Sequence, residues 1–360
     1  SGHQALFAHA KAHFAGLVCV LSGNFVQRGE PAILDKWART RLALASGADL
    51  VAELPLPWAC AGAERFAAGG IAVARGLGCV DTLLFGSEEK DIRPLWDLAK
   101  ALLSPEFSQA LGRVDPTLPF ARRRQQAAAL LAGEKTAALL EKPNCILGVE
   151  YLKALLVQGG GMEAQVFPRL GAGHDLPDRE GAILSASQAR ELLAAGEDLS
   201  GRLPELALNA WREQAERGPC PASLSRLERA VLCRLRSMTV EDFSRLPDVS
   251  EGLEHRLRQA ARQAGSLEEF YALVKSKRYS HARVRRLCMS AFLGLTRDLP
   301  PLPLYLRVLG MTPTGQEILR QTRPSLPLAL RAGDFSRLGG EALSLFELEA
   351  RSGDLYGLAL

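Results

Sequence analysis

Residues 16–31 read Gly-Leu-Val-Cys-Val-Leu-Ser-Gly-Asn-Phe-Val-Gln-Arg-Gly-Glu-Pro. The first seven are a short apolar run that ends on Ser and Gly, the pattern of a buried strand. The rest pack Asn24, Gln27 and Arg28 between two glycines, with Glu30 just beyond. A bland turn does not need that density of hydrogen-bonding groups, and functional loops concentrate at such positions. Phe25, the aromatic among them, reads as packing rather than as a stacking surface.

Three further runs share the strand pattern, at 49–54, 82–86 and 164–168, and helical periodicity fills 4–14, 35–46, 61–76, 92–103, 117–132 and 144–158. Continuous apolar strands that alternate with helices predict a parallel sheet covered on both faces, a doubly wound α/β domain of Rossmann type. Ligands of such sheets bind beyond the carboxyl ends of the strands. After about residue 200 the pattern becomes almost wholly helical, over 203–217, 223–236, 240–246, 253–264, 266–275 and 280–293, followed by a Pro-rich stretch and a strand over 304–309. The expected organisation is an α/β catalytic domain over 1–200 and a mainly helical domain over 201–360.

Composition narrows the classes. With 360 residues, 47% hydrophobic and 23% charged, the chain has the make-up of a globular protein and not of a disordered one. No stretch approaches the roughly 18 consecutive apolar residues of a spanning helix, so no membrane association is expected. A net charge of +4 is too small to predict nucleic-acid binding by itself. The seven cysteines are scattered with no C-x-x-C pair, which predicts neither a zinc site nor a disulfide framework but small core hydrophobes in a reducing compartment, the cytoplasm. No signal peptide is expected from the first residues. The motifs of P-loop ATPases, H-E-x-x-H zinc proteases and α/β-hydrolases are absent from the sequence.

Other segments carry chemistry-bearing residues. Gly2 and His3 open a helix, where backbone amides and an imidazole can meet a phosphate. Ser185-Ala-Ser-Gln-Ala-Arg190 opens an amphipathic helix; its hydroxyls serve either as simple caps or, with Arg190 one turn in, as a phosphate cradle. Arg169 follows a strand and Asn144 opens a helix after Pro143, both at places where a nucleotide would sit. Residues 275–286, Lys-Ser-Lys-Arg-Tyr-Ser-His-Ala-Arg-Val-Arg-Arg, hold Lys275, Lys277, Arg278, Arg283, Arg285 and Arg286 with no acid. A one-sign run with an interleaved aromatic is the footprint of phosphate-backbone contact, although such a run is also a common solvated face. Arg122-Arg-Arg124 is a second, smaller basic patch.

Together, Ser22-Gly-Asn-Phe-Val-Gln-Arg-Gly-Glu-Pro-Ala32, Lys36-Trp-Ala-Arg-Thr40, Asp49-Leu-Val-Ala-Glu-Leu-Pro55, Phe85-Gly-Ser-Glu88, Lys142-Pro-Asn-Cys-Ile-Leu-Gly148, Lys277-Arg-Tyr-Ser280 and Arg307-Val-Leu-Gly310 resemble the bacterial tRNA(Met) cytidine acetate ligase family of the nucleotidylyltransferase superfamily. The resemblance implies an enzyme that uses ATP, accompanied by Mg²⁺, to activate acetate as acetyl-adenylate and that acetylates N4 of the wobble cytidine of elongator tRNA(Met). It implies no metal held by the protein itself and no protein partner. It makes His3, Ser187 and Arg190 the catalytic residues. Gly2, His3, Gly86, Asn144, Arg169, Ser185, Ser187 and Arg190 become the ATP contacts, with Gly86 and Asn144 on the adenosine and Ser185, Ser187 and Arg190 on the departing pyrophosphate. Asn24, Gln27 and Arg28 are expected to line the acetyl or cytidine pocket, and the 275–286 run to bind RNA. Ser1 falls at the x of the superfamily's H-x-G-H motif, so its first His and the strand before it are expected to be missing from this sheet. Two rivals remain at the level of sequence: a nucleotidylyltransferase for a small phosphorylated metabolite, and a non-catalytic RNA-binding protein.

Overall fold

The computed structural model describes residues 2–168, 186–218, 220–250, 252–276 and 278–360. Its strands are β1 (Val18–Ser22), β2 (Phe25–Val26), β3 (Glu30–Pro31), β4 (Leu50–Leu54), β5 (Thr82–Ser87), β6 (Glu163–Pro168), β7 (Leu306–Met311) and β8 (Leu328–Ala329). The expected parallel pairing is present in two ladders. β1 runs beside β4, from Val18 opposite Leu50 to Ser22 opposite Leu54, and β5 runs beside β6, from Thr82 opposite Glu163 to Ser87 opposite Pro168. No hydrogen-bonded ladder joins the two pairs among the described residues. Helices Ala63–Gly76 and Pro143–Val157 pack on each other and against the strands.

All five residues of β4 are buried. A strand apolar on both faces needs both edges paired, because an unpaired backbone group away from water is costly. β1 pairs one edge and β7 the other, antiparallel, with Leu50 opposite Met311 and a register shift between Val51 and Ala52. β8 then pairs with β7. The sheet therefore crosses the boundary expected at residue 200. Helices fill most of 205–293, but the last sixty residues return to the first half and end in helix Gly340–Gly357.

Three main apolar cores result. One lies around β4 and β7 (Leu50, Leu54, Trp58, Val73, Tyr305, Leu306). The second lies beneath β5 and helix Pro143–Val157 (Ile71, Phe85, Leu98, Val149, Leu152). The third fills the helical segment (Leu227, Phe243, Leu257, Phe270, Leu287) and takes in Phe25 and Cys60 from the first half. Phe25 is fully buried and meets Tyr356 edge-on at 6.0 Å, so its packing role holds. All seven cysteines are thiols, and Cys60, Cys145 and Cys288 are buried among the apolar side chains. No helix among the described residues is long and apolar enough to cross a membrane.

Candidate active site

Two strand ends carry the residues singled out by sequence. At the end of β5, Gly86 lies opposite Phe167 of β6, and Glu88 follows directly. Helix Pro143–Val157 starts beside them. A Cβ on Gly148 would stand 2.5 Å from Phe85 Cε2, so glycine there lets the helix lie close against the strand. The helix has Pro at its first position and no side-chain cap from Lys142. Glu88 reaches across instead: Oε1 accepts from Asn144 Nδ2 at 2.6 Å and from the Asn144 amide at 3.2 Å, and Oε2 accepts from the Cys145 amide at 2.9 Å. Burial pushes the Glu88 carboxyl up, but the hydrogen bonds from Asn144 and Cys145 together outweigh it and hold it below its ordinary pKa. Gly86, Glu88 and Asn144 are all half-buried, leaving a polar corner at a strand's carboxyl end open to a ligand.

Helix Gly2–His13 lies against β5, with the His9 ring 5.2 Å from that of Phe167. Gly2 and His3 are in its exposed first turn. Arg169 and Ser185 lie outside the described residues, as does the side chain of Ser187. Arg190 is half-buried in helix Ala186–Ala194, which packs through Ala189 and Leu193 against Leu199, Leu208 and Ile33. The expected adenosine pair, Gly86 and Asn144, is thus brought together, while the expected pyrophosphate cradle is described only at Arg190.

The end of β1 is built differently. The chain turns through the β2–β3 hairpin, with Phe25 paired to Pro31 and Gly29 in the left-handed region at φ 72°. Asn24 is buried, and its Oδ1 accepts the Lys36 amide at 2.8 Å, completing the start of helix Lys36–Ala45 beside the Asp35 cap. Arg39 grips the turn, donating to the carbonyls of Ser22, Gly23 and Leu34. Beneath lies a buried ion cluster. Lys36 Nζ stands 2.7 Å from Glu53 and 3.6 Å from Glu349, Arg307 is 3.2 Å from Glu53, and Glu349 accepts the Leu56 amide at 2.8 Å. A Cβ on Gly23 would fall 2.8 Å from Glu53 Oε1 and 2.9 Å from Glu349 Oε1, so the turn closes directly over the carboxylates. Burial, with the like charge of Glu53 next to it, pushes the Glu349 carboxyl up to about 8. Of the three residues expected to line the acetyl or cytidine pocket, Asn24 is turned inward as a brace, Gln27 is half-buried and Arg28 is exposed. Sequence reading quoted Lys36 and Glu53 within motifs but gave them no role; a charged residue inside an otherwise apolar strand such as Leu50–Leu54 is the signal that would have found Glu53.

The basic run also divides. Lys275 and Arg278 are exposed, and Lys277 lies outside the described residues. Arg283 stands 5.2 Å over the Tyr279 ring and donates to the Asp248 carbonyl. Arg285 pairs with Glu30 at 2.5 Å, and a Cβ on Gly29 would stand 2.7 Å from the Arg285 carbonyl carbon, so hairpin and helix His281–Leu293 are in direct contact. Arg286 lines a small cavity with Asp248 and Ser290, and burial lowers its pKa. Arg283, Arg285 and Arg286 thus lie against other parts of the protein. A broader signal went unread: residues 220–297 hold fifteen Lys/Arg against eight Asp/Glu, so the helical segment carries more than the whole net positive charge. Arg226, Arg229, Arg234, Arg236, Arg256 and Arg262 are exposed on it. Among the described residues, no group of three or more His, Cys, Asp or Glu is placed to hold a metal.

The family model of the HIGH nucleotidyl transferases matches residues 1–360. The tRNA(Met) cytidine acetate ligase of Acetivibrio thermocellus is 35% identical over 94% of this chain and 87% of its own length. That of Syntrophotalea carbinolica is 36% identical over 95% and 87%. The crystal structure of Thermotoga maritima TmcAL bound with alpha-thio ATP superposes with a TM-score of 0.91 at 30% identity, covering all of this chain and 91% of that one. The polar corner at β5, the parallel ladders and these likenesses along the full length agree: the chain belongs to the tRNA(Met) cytidine acetate ligase family, ATP-dependent ligases among the HIGH nucleotidyl transferases.

Proposed function

We propose that this chain binds ATP at the β5 corner, activates acetate and acetylates N4 of the wobble cytidine of elongator tRNA(Met). The observation that carries the reading is that Asn144 is hydrogen-bonded to Glu88, two residues past Gly86, so that two distant motifs meet at the carboxyl end of one strand. The mouth of helix Pro143–Val157 is already filled by the Glu88 carboxylate, which suits it to the uncharged adenosine rather than to the phosphates. Gly2 and His3 would meet the α- and β-phosphates, and Ser185, Ser187 and Arg190 the departing pyrophosphate, with Arg169 on the base or a phosphate.

An acetate oxygen attacks the α-phosphorus, the bond from that phosphorus to the β-bridging oxygen breaks, and pyrophosphate leaves. Charge spreads over phosphate oxygens, so positioning and charge stabilisation supply the catalysis. The cytosine N4 then attacks the acetyl carbonyl, AMP departs and N4 loses one proton to solvent. The described residues offer no carboxylate cage, so Mg²⁺ would be carried by the phosphates and water. The cytidine must be splayed from its stack to arrive, and Gln27 and Arg28, in the turn of the hairpin, would line its path. The cationic helical segment would hold the tRNA, in the cytoplasm where that substrate resides. The test is acetylation of a tRNA(Met) transcript with ATP and labelled acetate: label in N4-acetylcytidine at the wobble position supports the reading, and none with any tRNA rejects it.

A further inference from the structure

Glu88 closes the Phe85-Gly-Ser-Glu88 stretch; its carboxylate fills the mouth of helix Pro143–Val157, but it is not itself assigned a contact with ATP. Its carboxylate accepts the Asn144 and Cys145 amides at the start of helix Pro143–Val157, and its shortest contact, 2.6 Å, is to the side chain of Asn144. That is the length of a strong charge-assisted bond, donated by Asn144 Nδ2 to a carboxylate held below its ordinary pKa. A carboxamide is nearly symmetric in shape, and its ligand recognition depends on which end is nitrogen. A carboxylate accepts only from the nitrogen end, so Glu88 fixes the orientation of the Asn144 amide. The segment bearing Glu88 is itself held. Ser87 is fully buried, its Oγ accepts the Glu89 amide at 3.0 Å, and the Glu89 side chain accepts the amides of Lys90 and Asp91.

We propose that Glu88 is a positioning residue for ATP: it holds the Asn144 carboxamide in the one orientation that serves the adenosine. The proposal rests on the reading of Asn144 as an ATP contact, and a double-mutant cycle separates the two. ATP affinity is measured by calorimetry on the full chain, together with KM and kcat for acetate-dependent ATP–pyrophosphate exchange. Loss of a hydrogen bond to a charged group predicts that Glu88→Ala weakens ATP binding about tenfold, with a smaller change in kcat. In an Asn144→Ala background the same change has no further effect. Glu88→Gln, which keeps one carbonyl acceptor for Nδ2, falls between, and it carries the cycle if the alanine variant does not fold. Asp242→Ala breaks a capping box in helix Val240–Ser244, far along the chain, and gives the effect of a missing cap alone: a lower Tm with ATP affinity unchanged. If Asn144→Ala leaves ATP affinity unchanged, the reading of the corner fails and the proposal with it. If Asn144→Ala weakens binding while Glu88→Ala does not, or if the two effects multiply, Glu88 is only a helix cap and the proposal alone is overturned.

Discussion

After β1 the chain turns Asn24, Lys36 and Arg39 inward, onto backbone and buried carboxylates; after β5 it sets Glu88 and Asn144 in a half-open corner. Both strand ends are equally rich in polar residues in the sequence. They differ in what stands below. Under the first lie Glu53 and Glu349, which need partners because a buried charge must be paired and a buried protonated carboxyl must still be hydrogen-bonded. Under the second lies an apolar core around Phe85 and Val149, and the buried carboxylate of helix Pro143–Val157, Glu150, is met by Arg124 and Lys153 rather than by Glu88 or Asn144, which leaves these polar groups to one another and to a ligand. Polar density at a strand end thus marks either a brace or a contact, and the charge buried beneath decides between them.

The comparison is broken most directly at the brace. Lys36→Ala leaves two buried carboxylates without their shared cation, and stability should fall by about 3–5 kcal/mol in urea unfolding, the usual cost of removing one partner of a buried pair. A change below about 1 kcal/mol would mean that the cluster is not a brace. Arg285→Ala strands the half-buried Glu30 carboxylate and should cost about 1.5–3 kcal/mol. Gly29→Ala, which forces a side chain into the left-handed region and against the Arg285 backbone, should cost about 1–3 kcal/mol, read by the same unfolding curves.

The Glu349 carboxyl sharpens the contrast through pH. Its folded pKa, about 8, lies above its ordinary value of 4.5, so the folded form holds the proton more tightly. Its contribution is fully present below about pH 4.5 and is lost as pH rises through 8. Glu349→Gln should flatten the loss of stability over that window in a pH series of thermal melts. An unaltered slope would place the titration elsewhere. The smallest stability effect belongs to the exposed cations. Lys275→Ala should change stability by no more than about 0.5 kcal/mol. It should weaken tRNA binding and lower the salt slope by about 0.7–0.9 for each phosphate that is no longer neutralised. Arg285→Ala should leave that slope unchanged.

Much of the fold was legible in the residues. Four apolar runs became β1, β4, β5 and β6 with the expected parallel pairing, because continuous Val/Leu strands between helices have few other arrangements. The strand near 304–309 was legible but its place was not: nothing in Leu306–Met311 says that it will cover β4, some 250 residues earlier. In the candidate site, Gly86 and Asn144 were legible as motif members and are found together. Asn24, Arg283, Arg285 and Arg286 were legible as contact chemistry, but the partners they have within the protein, which no single sequence displays, were not. Lys36, Glu53 and Glu88 went without roles for the same reason, since their partners come from distant parts of the chain.

In the proposed mechanism ATP, its adenosine held at the β5 corner, reacts with acetate before any tRNA is needed. Isotope exchange between pyrophosphate and ATP in the full chain, with and without acetate and in the absence of tRNA, tests it most directly. Exchange is expected only when acetate is present. Exchange that proceeds equally without acetate, or none when acetate is supplied, would contradict it.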